Sequence, residues 1–569
     1  MRNTPIVVEL TEGFDDFVSP LPQSRCERSA TVATDTSSED LFALRNTTRV
    51  RFVAGERFYN VEMFGSLRKG GAVRFFSMDS AGLCAAVVTS AFAHMGLVNV
   101  VLPILKTQLA MTSQEALALQ RAVDLPVALS FLFGLLSDFY PLLGLRRKSY
   151  MVLSSLFFAA STLGIAGTIL RFESSATMTQ ERPSVTPAIF LCAFASAGCA
   201  ISHICVETQV IEISQREPLR TRGAFQASYL ILRRLTAMLS SLFTFAVLRS
   251  ASGEPRGVYP CTSIFVLAGL AVLPLPVVWK LWREERHPCP AAVVSPSLPT
   301  CMSAYWRTVQ QKAVWRILIF VSAFSLFLSV DFVDSARIVT QWAGASGDDY
   351  LAIKAIRDLV MLFSIMIWRR WCLNLDWHVL FSLGPVFAIL PSLFISVCVA
   401  LDVVRDRSLY RTATSLTFVS DAVRALVRLV PVTEIVQEGA EASTVGLVLT
   451  FQQLLATFTS TMAGELFQGD TFFDPSQVMS DSNSIRSKVL LSLTLNYAIN
   501  AFALVSLCIV PKQKIDTQQL RIYGGFTRVA ALGIAGLLLL LVVYTVVIDV
   551  MSFSPSLACH RIVGGDGCS

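Results

Sequence analysis

A histidine and two glutamates lie within one long apolar run of this chain. His203 and Glu207 are four residues apart, so they share one face of a helix. Glu212 lies five residues further, well round the helix axis. A histidine beside a carboxylate in a low-dielectric cavity can exchange a proton near neutral pH. We therefore expect these residues to bind and transfer protons; the alternative is a structural contact between a neutral histidine and the carboxylate.

A second stripe of polar side chains follows in the next apolar run. Arg233 lies four residues after Tyr229 and seven after Gln226, so the three share a helix face. A guanidinium in a cavity wall can bind an anion through two parallel hydrogen bonds or neutralise a carboxylate such as Glu207. One of the adjacent arginines, Arg233 or Arg234, could instead extend to the membrane interface.

Two further runs, late in the chain, carry charges at helical spacing. Asp331 and Asp334 are three residues apart, and Asp421, Arg424 and Arg428 follow at spacings of three and four. Charged groups inside a membrane are costly, so each is a candidate for a substrate or proton pathway. Acidic and basic stripes on two helices would form a polar cavity. The alternative, at all of these sites, is an internal ion pair that fixes helix packing.

The composition indicates which elements position these residues. The chain has 569 residues, of which 53% are apolar and 15% charged, and its mean hydropathy is +0.57. Soluble domains carry roughly 25% charged residues. These values exclude a disordered chain, a fibrous repeat and a disulfide-rich secreted domain, and the net charge of +6 is too small for a nucleic-acid-binding protein.

The apolar runs predict an all-α polytopic membrane protein with thirteen spans. A bilayer crossing takes about 20 apolar residues in helical form, because lipid cannot satisfy a free backbone N–H or C=O. The predicted spans are roughly residues 81–105, 122–142, 149–170, 187–211, 225–249, 261–281, 315–336, 352–370, 377–400, 412–434, 444–467, 488–510 and 526–550.

The longest internal connection divides these spans into six and six, plus one. It runs from Trp282 to Trp315 and is rich in proline and basic residues. Lysine and arginine favour cytosolic loops, which predicts a cytosolic N-terminus and, with thirteen spans, an outer C-terminus. The predicted parts are a polar cytosolic arm, a six-helix half, a cytosolic linker, a second six-helix half, and a final linker with an extra helix and tail: residues 1–80, 81–281, 282–314, 315–510 and 511–569.

The connection between the second and third spans predicts a gate. Asp138 ends one span, and a basic cluster after Gly144 starts the next. This pattern resembles the G-x-x-x-D…G-[RK]-[RK] loop of major facilitator transporters, although the spacing from Asp138 to Gly144 is longer here. Such a latch holds two halves together in one conformation and releases them in the other. The predicted cytosolic gate residues are Asp138, Arg146, Arg147, Lys148, Arg222, Glu438 and Glu441.

Three segments resemble the folate–biopterin transporter family, a branch of the major facilitator superfamily. They are Leu125–Tyr150 with its Gly-Leu-Leu-Ser-Asp, Glu212–Arg233 with its Gln-Arg-Glu-Pro, and Pro431–Thr450 with its Glu-Gly-Ala-Glu. The resemblance covers residues of about 80 to 510. It implies the major facilitator fold, whose two six-helix halves are related by a pseudo-two-fold axis. It also implies a folate- or pterin-like substrate.

The chain departs from this family at two places in the predicted pathway. Ser130 and Phe131 stand where the family usually has Lys-Pro, and His203 and Glu207 stand where it tends to have two aspartates. The missing lysine removes an anchor for an anionic substrate, which Arg233 and the Arg424/Arg428 pair could replace.

We expect a monomeric secondary transporter in the plasma membrane. It would move a small anionic, folate- or pterin-like metabolite by alternating access, with protons as the driving ion. The chain has no GxxxxGK[ST] motif, so direct ATP power is not expected. It has no CxxC pair either, and we expect no metal or cofactor.

Two alternatives stay open at this point. The chain could be a carrier of another small solute, such as a nucleoside or an amino acid, or a membrane sensor that does not transport. An intramembrane enzyme would need a motif such as HExxH or GxSxG, and the sequence has neither. We therefore expect no enzymatic activity.

Overall fold

The computed structural model describes residues 65–178, 184–251, 260–284, 298–345, 350–465, 472–473, 478, 481–554, 557 and 560–563. The described residues form helices, turns and two isolated bridges, and no β-strand. Most of the predicted N-terminal arm (residues 1–64) and part of the predicted linker (residues 285–297) lie outside the described residues.

Twenty α-helices are described. In chain order, α1 to α20 are Ala81–Gly96, Leu102–Gln108, Ser113–Ala128, Ser130–Phe139, Lys148–Met178, Thr186–Ser214, Ala224–Ala251, Pro260–Val272, Leu275–Leu281, Leu298–Gln310, Lys312–Leu328, Val333–Trp342, Tyr350–Ile367, Trp377–Ala400, Arg407–Ser415, Phe418–Ile435, Glu441–Glu465, Asn483–Ser506, Lys514–Tyr523 and Arg528–Phe553. A π-helical turn joins α1 to α2, and another, Trp368–Cys372, extends α13.

Nine spans among the described residues are long and apolar enough to cross a bilayer. A tenth results if α11 and α12, which meet at 44°, count as one broken span. Three more helices at predicted spans, α7, α13 and α16, are not among these nine, and each carries at least two charged residues. The predicted all-α polytopic membrane protein is confirmed.

Several helices begin in polar residues outside the apolar runs. Thr112 and Glu115 form a reciprocal capping box at the start of α3, nine residues before the predicted span. Ser482 caps α18 by accepting from the backbone N–H of Ile485. Such caps satisfy helix-end N–H groups, so the helices extend beyond the apolar stretch that hydropathy detects.

The helices pack in two groups. In the first, α1–α9, the main neighbours are α5 with α6, α5 with α8, α3 with α6, and α1 with α7. In the second, α11–α18, they are α14 with α16, α14 with α18, and α11 with α18. The loops after α4, α6, α9, α13, α16 and α18 lie at one end of the bundle, which we call the linker side because residues 282–284 and 298–311 lie there.

Two helix pairs form the most extensive contacts between the groups. α4 runs along α17, and α7 runs along α13. The largest buried apolar cluster includes residues of both groups, such as Tyr229 and Phe324. The final helix, α20, packs on α3 of the first group and α17 of the second. It therefore lies across the seam between them.

Candidate functional site

A chain of charged side chains crosses the centre of the bundle. His203 and Glu207 lie on one face of α6, with Nε2 and Oε2 2.9 Å apart. From the second group, Nε of Arg428 on α16 lies 3.2 Å from Oε1 of Glu207. Arg233 on α7 lies 2.6 Å from Nδ1 of His203 and donates to the hydroxyl of Tyr229 at 2.8 Å. The Glu207 side chain is 2% exposed, so its charge depends on these partners.

A narrow crevice opens beside this ion pair, between α6, α16 and α17. Glu207 and Arg428 line it together with the apolar residues Ile211, Val432, Val445, Val448 and Leu449. It is too narrow to admit a water molecule. The crevice is therefore small in this conformation.

A second charged network lies further towards the side opposite the linker. Asp421 on α16 contacts Arg357 of α13 at 2.8 Å and Arg424 of its own helix at 3.8 Å. Arg234 on α7 contacts Asp358 of α13 at 3.3 Å. The side chain of Arg357 is 47% exposed. A charged side chain this accessible shows that the second network is not sealed within the bundle.

Cations outnumber carboxylates in these two networks. The cations are Arg233, Arg234, Arg357, Arg424 and Arg428, and the carboxylates are Glu207, Asp358 and Asp421. The excess positive charge can attract and hold an anionic molecule.

Arg147 forms the centre of a buried cluster at the linker side. Its Nη2 lies 2.7 Å from Asp138, 3.1 Å from Glu212 and 3.2 Å from Glu441. Glu441 belongs to the second group, so this arginine joins both groups. The Arg147 side chain is 1% exposed. Burial lowers the pKa of Arg147, but the three carboxylates outweigh it and raise that pKa above its usual value.

Asp138 also binds the backbone of the second group directly. One carboxylate oxygen accepts from the N–H and the hydroxyl of Ser443, and the other accepts from the N–H of Ala442 at 3.2 Å. Glycines allow this approach: a Cβ on Gly134 would lie 2.2 Å from the carbonyl oxygen of Ala442, and one on Gly446 would lie 2.5 Å from that of Ser130. The backbones of α4 and α17 therefore touch where they cross.

A second buried cluster closes the linker side a few residues away. Arg222, in the loop between α6 and α7, contacts Glu434 of α16 at 2.9 Å, and both side chains are 1% exposed. Gln518 of α19 donates to the same carboxylate. Gln215 donates to the carbonyl oxygens of Thr433 at 2.7 Å and Val436 at 3.0 Å. Each of these contacts joins the two groups or binds α19 to them.

Several predicted residues lie elsewhere than expected. Glu212 contacts Arg147, and Gln226 donates to the hydroxyl of Thr433, so both belong to the linker-side closure rather than to the centre. Nine residues of helix cover about 13 Å, which separates Glu212 from His203. The arginine in direct contact with Glu207 is Arg428 rather than Arg233.

The predicted acidic stripe lies at the break between α11 and α12. Asp331 is exposed within the break, and Asp334 lies in the first turn of α12. Arg424 donates to Ser329, which also lies at this break. The α16 arginines thus meet carboxylates of their own helix and of α6, namely Asp421 and Glu207.

The remaining predicted gate residues contribute in different ways. Arg146, Arg147 and Lys148 donate their backbone N–H groups to Glu284, at 2.7–2.9 Å, which caps α5. The Lys148 ammonium donates to the carbonyl oxygen of Trp282 at 3.0 Å. Glu438 is 78% exposed and lies 3.8 Å from Arg68.

Four residues of the linker-side closure were missed in the sequence: Arg68, Glu434, Lys514 and Gln518. Arg68 lies in the polar segment before α1, and Lys514 and Gln518 lie in the short helix between two spans. Polar residues there look like ordinary solvent-exposed ones. Glu434 follows the charged stripe of α16 by six residues, and this was the one signal available.

Comparisons with known proteins find similar chains. The model of the BT1 family matches residues 94–518. The folate-biopterin transporter of Synechocystis sp. (strain ATCC 27184 / PCC 6803 / Kazusa) is 28% identical over 238 residues, which are 39% of this chain and 44% of that protein. The match thus spans less than half the length of this relative.

Solved structures show a similar fold. The major facilitator proton:xylose symporter XylE, bound to 6-bromo-6-deoxy-D-glucose, has a TM-score of 0.54 and 13% identity, over 78% of this chain and 99% of its own. An auto-inhibited POT family peptide transporter has a TM-score of 0.47 and 14% identity, over 75% of this chain and 94% of its own, which is too low to support an inference. The predicted major facilitator fold is confirmed.

Proposed function

Because the chain belongs to the BT1 family and has the fold of major facilitator transporters, we propose that this transporter is a secondary carrier of small anions that works by alternating access. Its two helix groups would act as the moving halves. Substrate would bind between them, near the middle of the membrane, as in other carriers with repeated halves.

The observation that carries this proposal is the charged chain through Glu207 and Arg428. It joins α6 to α16 across the seam, and it lies beside the crevice. Arg233 and Arg428 offer guanidinium groups that suit a carboxylate or phosphate. The excess of cations favours an anion there. The folate-biopterin transporter from Synechocystis supports a folate- or pterin-like anion as the first substrate to test.

Proton coupling is proposed for His203 and Glu207. A proton on Glu207 would remove the charge that holds Arg428 and would free this arginine for an anionic substrate. Proton binding and substrate binding would then favour each other. The proton neutralises Glu207, and the anionic substrate then neutralises the arginine that this releases. This would couple inward proton flow to uptake.

The closed linker side indicates which step of the proposed transport cycle this conformation would represent. The Arg147 and Arg222 clusters bind the two groups together there, while the Arg357 side chain of the second network is 47% exposed. We assign the linker side to the cytosol, following the basic loops, so this conformation would be closed to the cytosol. We also propose that the protein lies in the plasma membrane and acts as a monomer.

The test is uptake into proteoliposomes that contain the purified full-length protein. Labelled folate, biopterin, a nucleoside and an amino acid are offered at an acidic and at a neutral external pH. We expect faster folate or biopterin uptake at the acidic pH, and loss of most uptake in Glu207→Gln. Asp79→Asn is the control, because this carboxylate is 60% exposed, forms a surface ion pair with Arg283 and belongs to neither the charged networks nor the gate.

The outcomes separate the alternatives. Transport of the nucleoside or amino acid alone would replace the substrate class and retain the carrier. Binding without uptake or counterflow would favour a sensor. Uptake that is equal at both pH values, and equal in Glu207→Gln, would rule out the proposed coupling.

A further inference from the structure

Two segments outside the paired helix groups reach into the linker-side closure. One is the stretch from Gly65 to Arg68, which precedes the first span. The other is α19, the short helix that connects α18 to the final helix α20. We call them the N-terminal clasp and the α19 clasp.

The N-terminal clasp contacts both groups. From the first group, Arg222 donates to the carbonyl oxygen of Gly65, and the carbonyl oxygen of Gln215 accepts from the N–H groups of Leu67 at 2.8 Å and Arg68 at 3.2 Å. From the second group, the Glu441 carboxylate lies 2.6 Å from Nη2 of Arg68. The clasp therefore binds Arg222 and Glu441, each of which also joins the groups directly, through Glu434 and Arg147 respectively.

The α19 clasp contacts both groups at the other buried cluster. The Lys514 ammonium donates to the carbonyl oxygen of Arg222 at 2.7 Å in the first group and to that of Leu373 at 3.3 Å in the second. Gln518 donates to Glu434, and Arg521 donates to the Glu434 carbonyl oxygen at 3.4 Å. Lys514 is only 6% exposed.

These contacts cannot survive a separation of the groups. The Lys514 ammonium cannot stay on carbonyl oxygens of Arg222 and Leu373 if the loops that hold them move apart. Arg68 likewise cannot keep Glu441 while Leu67 stays on Gln215. Because these hydrogen bonds and this ion pair exist only while the groups are together, the clasps stabilise the closed arrangement alone.

We propose that Arg68 and Lys514 are gating residues of the carrier, and that the two clasps hold its linker side closed and release when that side opens. The inference rests on the proposed alternating access. Arg68 and Lys514 act through Glu441 and the Arg222–Glu434 pair, so they are positioning residues rather than substrate ligands.

The experiment measures access to the crevice from the linker side, independently of transport. The reporter is Val432→Cys, since Val432 is buried and lines the crevice. A membrane-impermeant thiol reagent is applied to the linker side of the full-length protein in oriented vesicles. Mass spectrometry gives the labelling rate at position 432 relative to Cys508, which is exposed in the described structure.

The tested variants are Lys514→Met and Arg68→Met, each placed in the reporter background. Their matched controls are Lys512→Met and Lys69→Met, because both of these lysines are exposed neighbours. Loss of one charged hydrogen-bonding group should speed labelling about tenfold in each tested variant. The controls should label like the parent. Gln518→Leu serves as a second variant of the α19 clasp if Lys514→Met does not fold, because it leaves the charge of Lys514 in place.

Labelling at the parental rate in Arg68→Met and in the α19 variants would overturn the proposed gating role of the clasps. If the parent transports solute in that case, the proposed function stands without them. If the parent transports none of the tested solutes but the variants still label faster, the clasps stand as a closure device and the proposed function fails.

Discussion

The guanidinium Nε of Arg428 lies 3.2 Å from Oε1 of Glu207, and this ion pair joins the two helix groups at the centre of the bundle. Glu207 is almost fully buried, and His203 lies on its other oxygen. A single buried carboxylate thus faces groups from both sides of the seam. Any change in its charge alters how firmly α6 and α16 hold together.

A double-mutant cycle should show this coupling. Glu207→Gln leaves Arg428 without its anion, and Arg428→Gln leaves a buried carboxylate, so each change alone should cost roughly 3–5 kcal/mol of stability. The double variant should lose clearly less than the sum, because neither charge is left alone. Thermal unfolding of the purified proteins measures the cycle. Additive losses would contradict a direct interaction, and uptake should stay low in all three variants.

Arg147→Gln should weaken the linker-side closure more than Arg146→Gln does. The substitution leaves the carboxylates of Asp138, Glu212 and Glu441 close together without their shared cation. We expect a loss of roughly 3–5 kcal/mol, measured as a lower unfolding temperature. Arg146→Gln is the control, because Arg146 keeps its backbone N–H bond to Glu284. Equal unfolding temperatures in the two variants would refute this role.

Gly134→Ala should disturb the crossing of α4 and α17. The new Cβ would lie 2.2 Å from the carbonyl oxygen of Ala442, so one backbone must move. The expected cost is about 1–3 kcal/mol. Gly167→Ala on α5 is the matched control, because its Cβ would meet no atom within 4 Å. Differential scanning fluorimetry should show a lower melting temperature for the first variant only.

The α19 clasp should become firmer as the pH rises above about 8. Burial, partly offset by Glu434 and Glu217 and reinforced by Arg222, lowers the pKa of Lys514 to about 8 from 10.5. Between these values the released lysine binds more protons than the clasped one, so the clasped form gains stability with rising pH.

The measurement is the labelling rate of the Val432→Cys reporter, relative to Cys508, across this pH window. That ratio should fall with rising pH in the parent and in Lys512→Met. In Lys514→Met it should lose this dependence, because the titrating amine is absent. A slope that persists unchanged in Lys514→Met would assign the pH effect to another group.

The helices were predictable because hydropathy is a local property. The run that predicts a span at 377–400 coincides with α14. The helix at 113–139 starts earlier than predicted, because a polar capping box rather than apolar residues fixes its beginning. The 44° break after Ser329 had no clear signal, since no proline or glycine marks it.

The site was predictable only in part, because its contacts join residues far apart in the chain. Spacing correctly placed His203 and Glu207 together, four residues apart on α6. No spacing could pair Arg222 with Glu434, which are 212 residues apart. Arg68 was missed for the same reason: its partner Glu441 lies 373 residues away.

The closure of the linker side contains buried charged and polar pairs beside its apolar contacts. When such a seam parts, incoming water solvates each guanidinium and carboxylate that it releases. For these pairs, opening exchanges one set of polar partners for another. Dissolved ions reach the same groups only in the parted seam, so ionic strength becomes a control on the equilibrium, and added salt shifts the population towards the open shape.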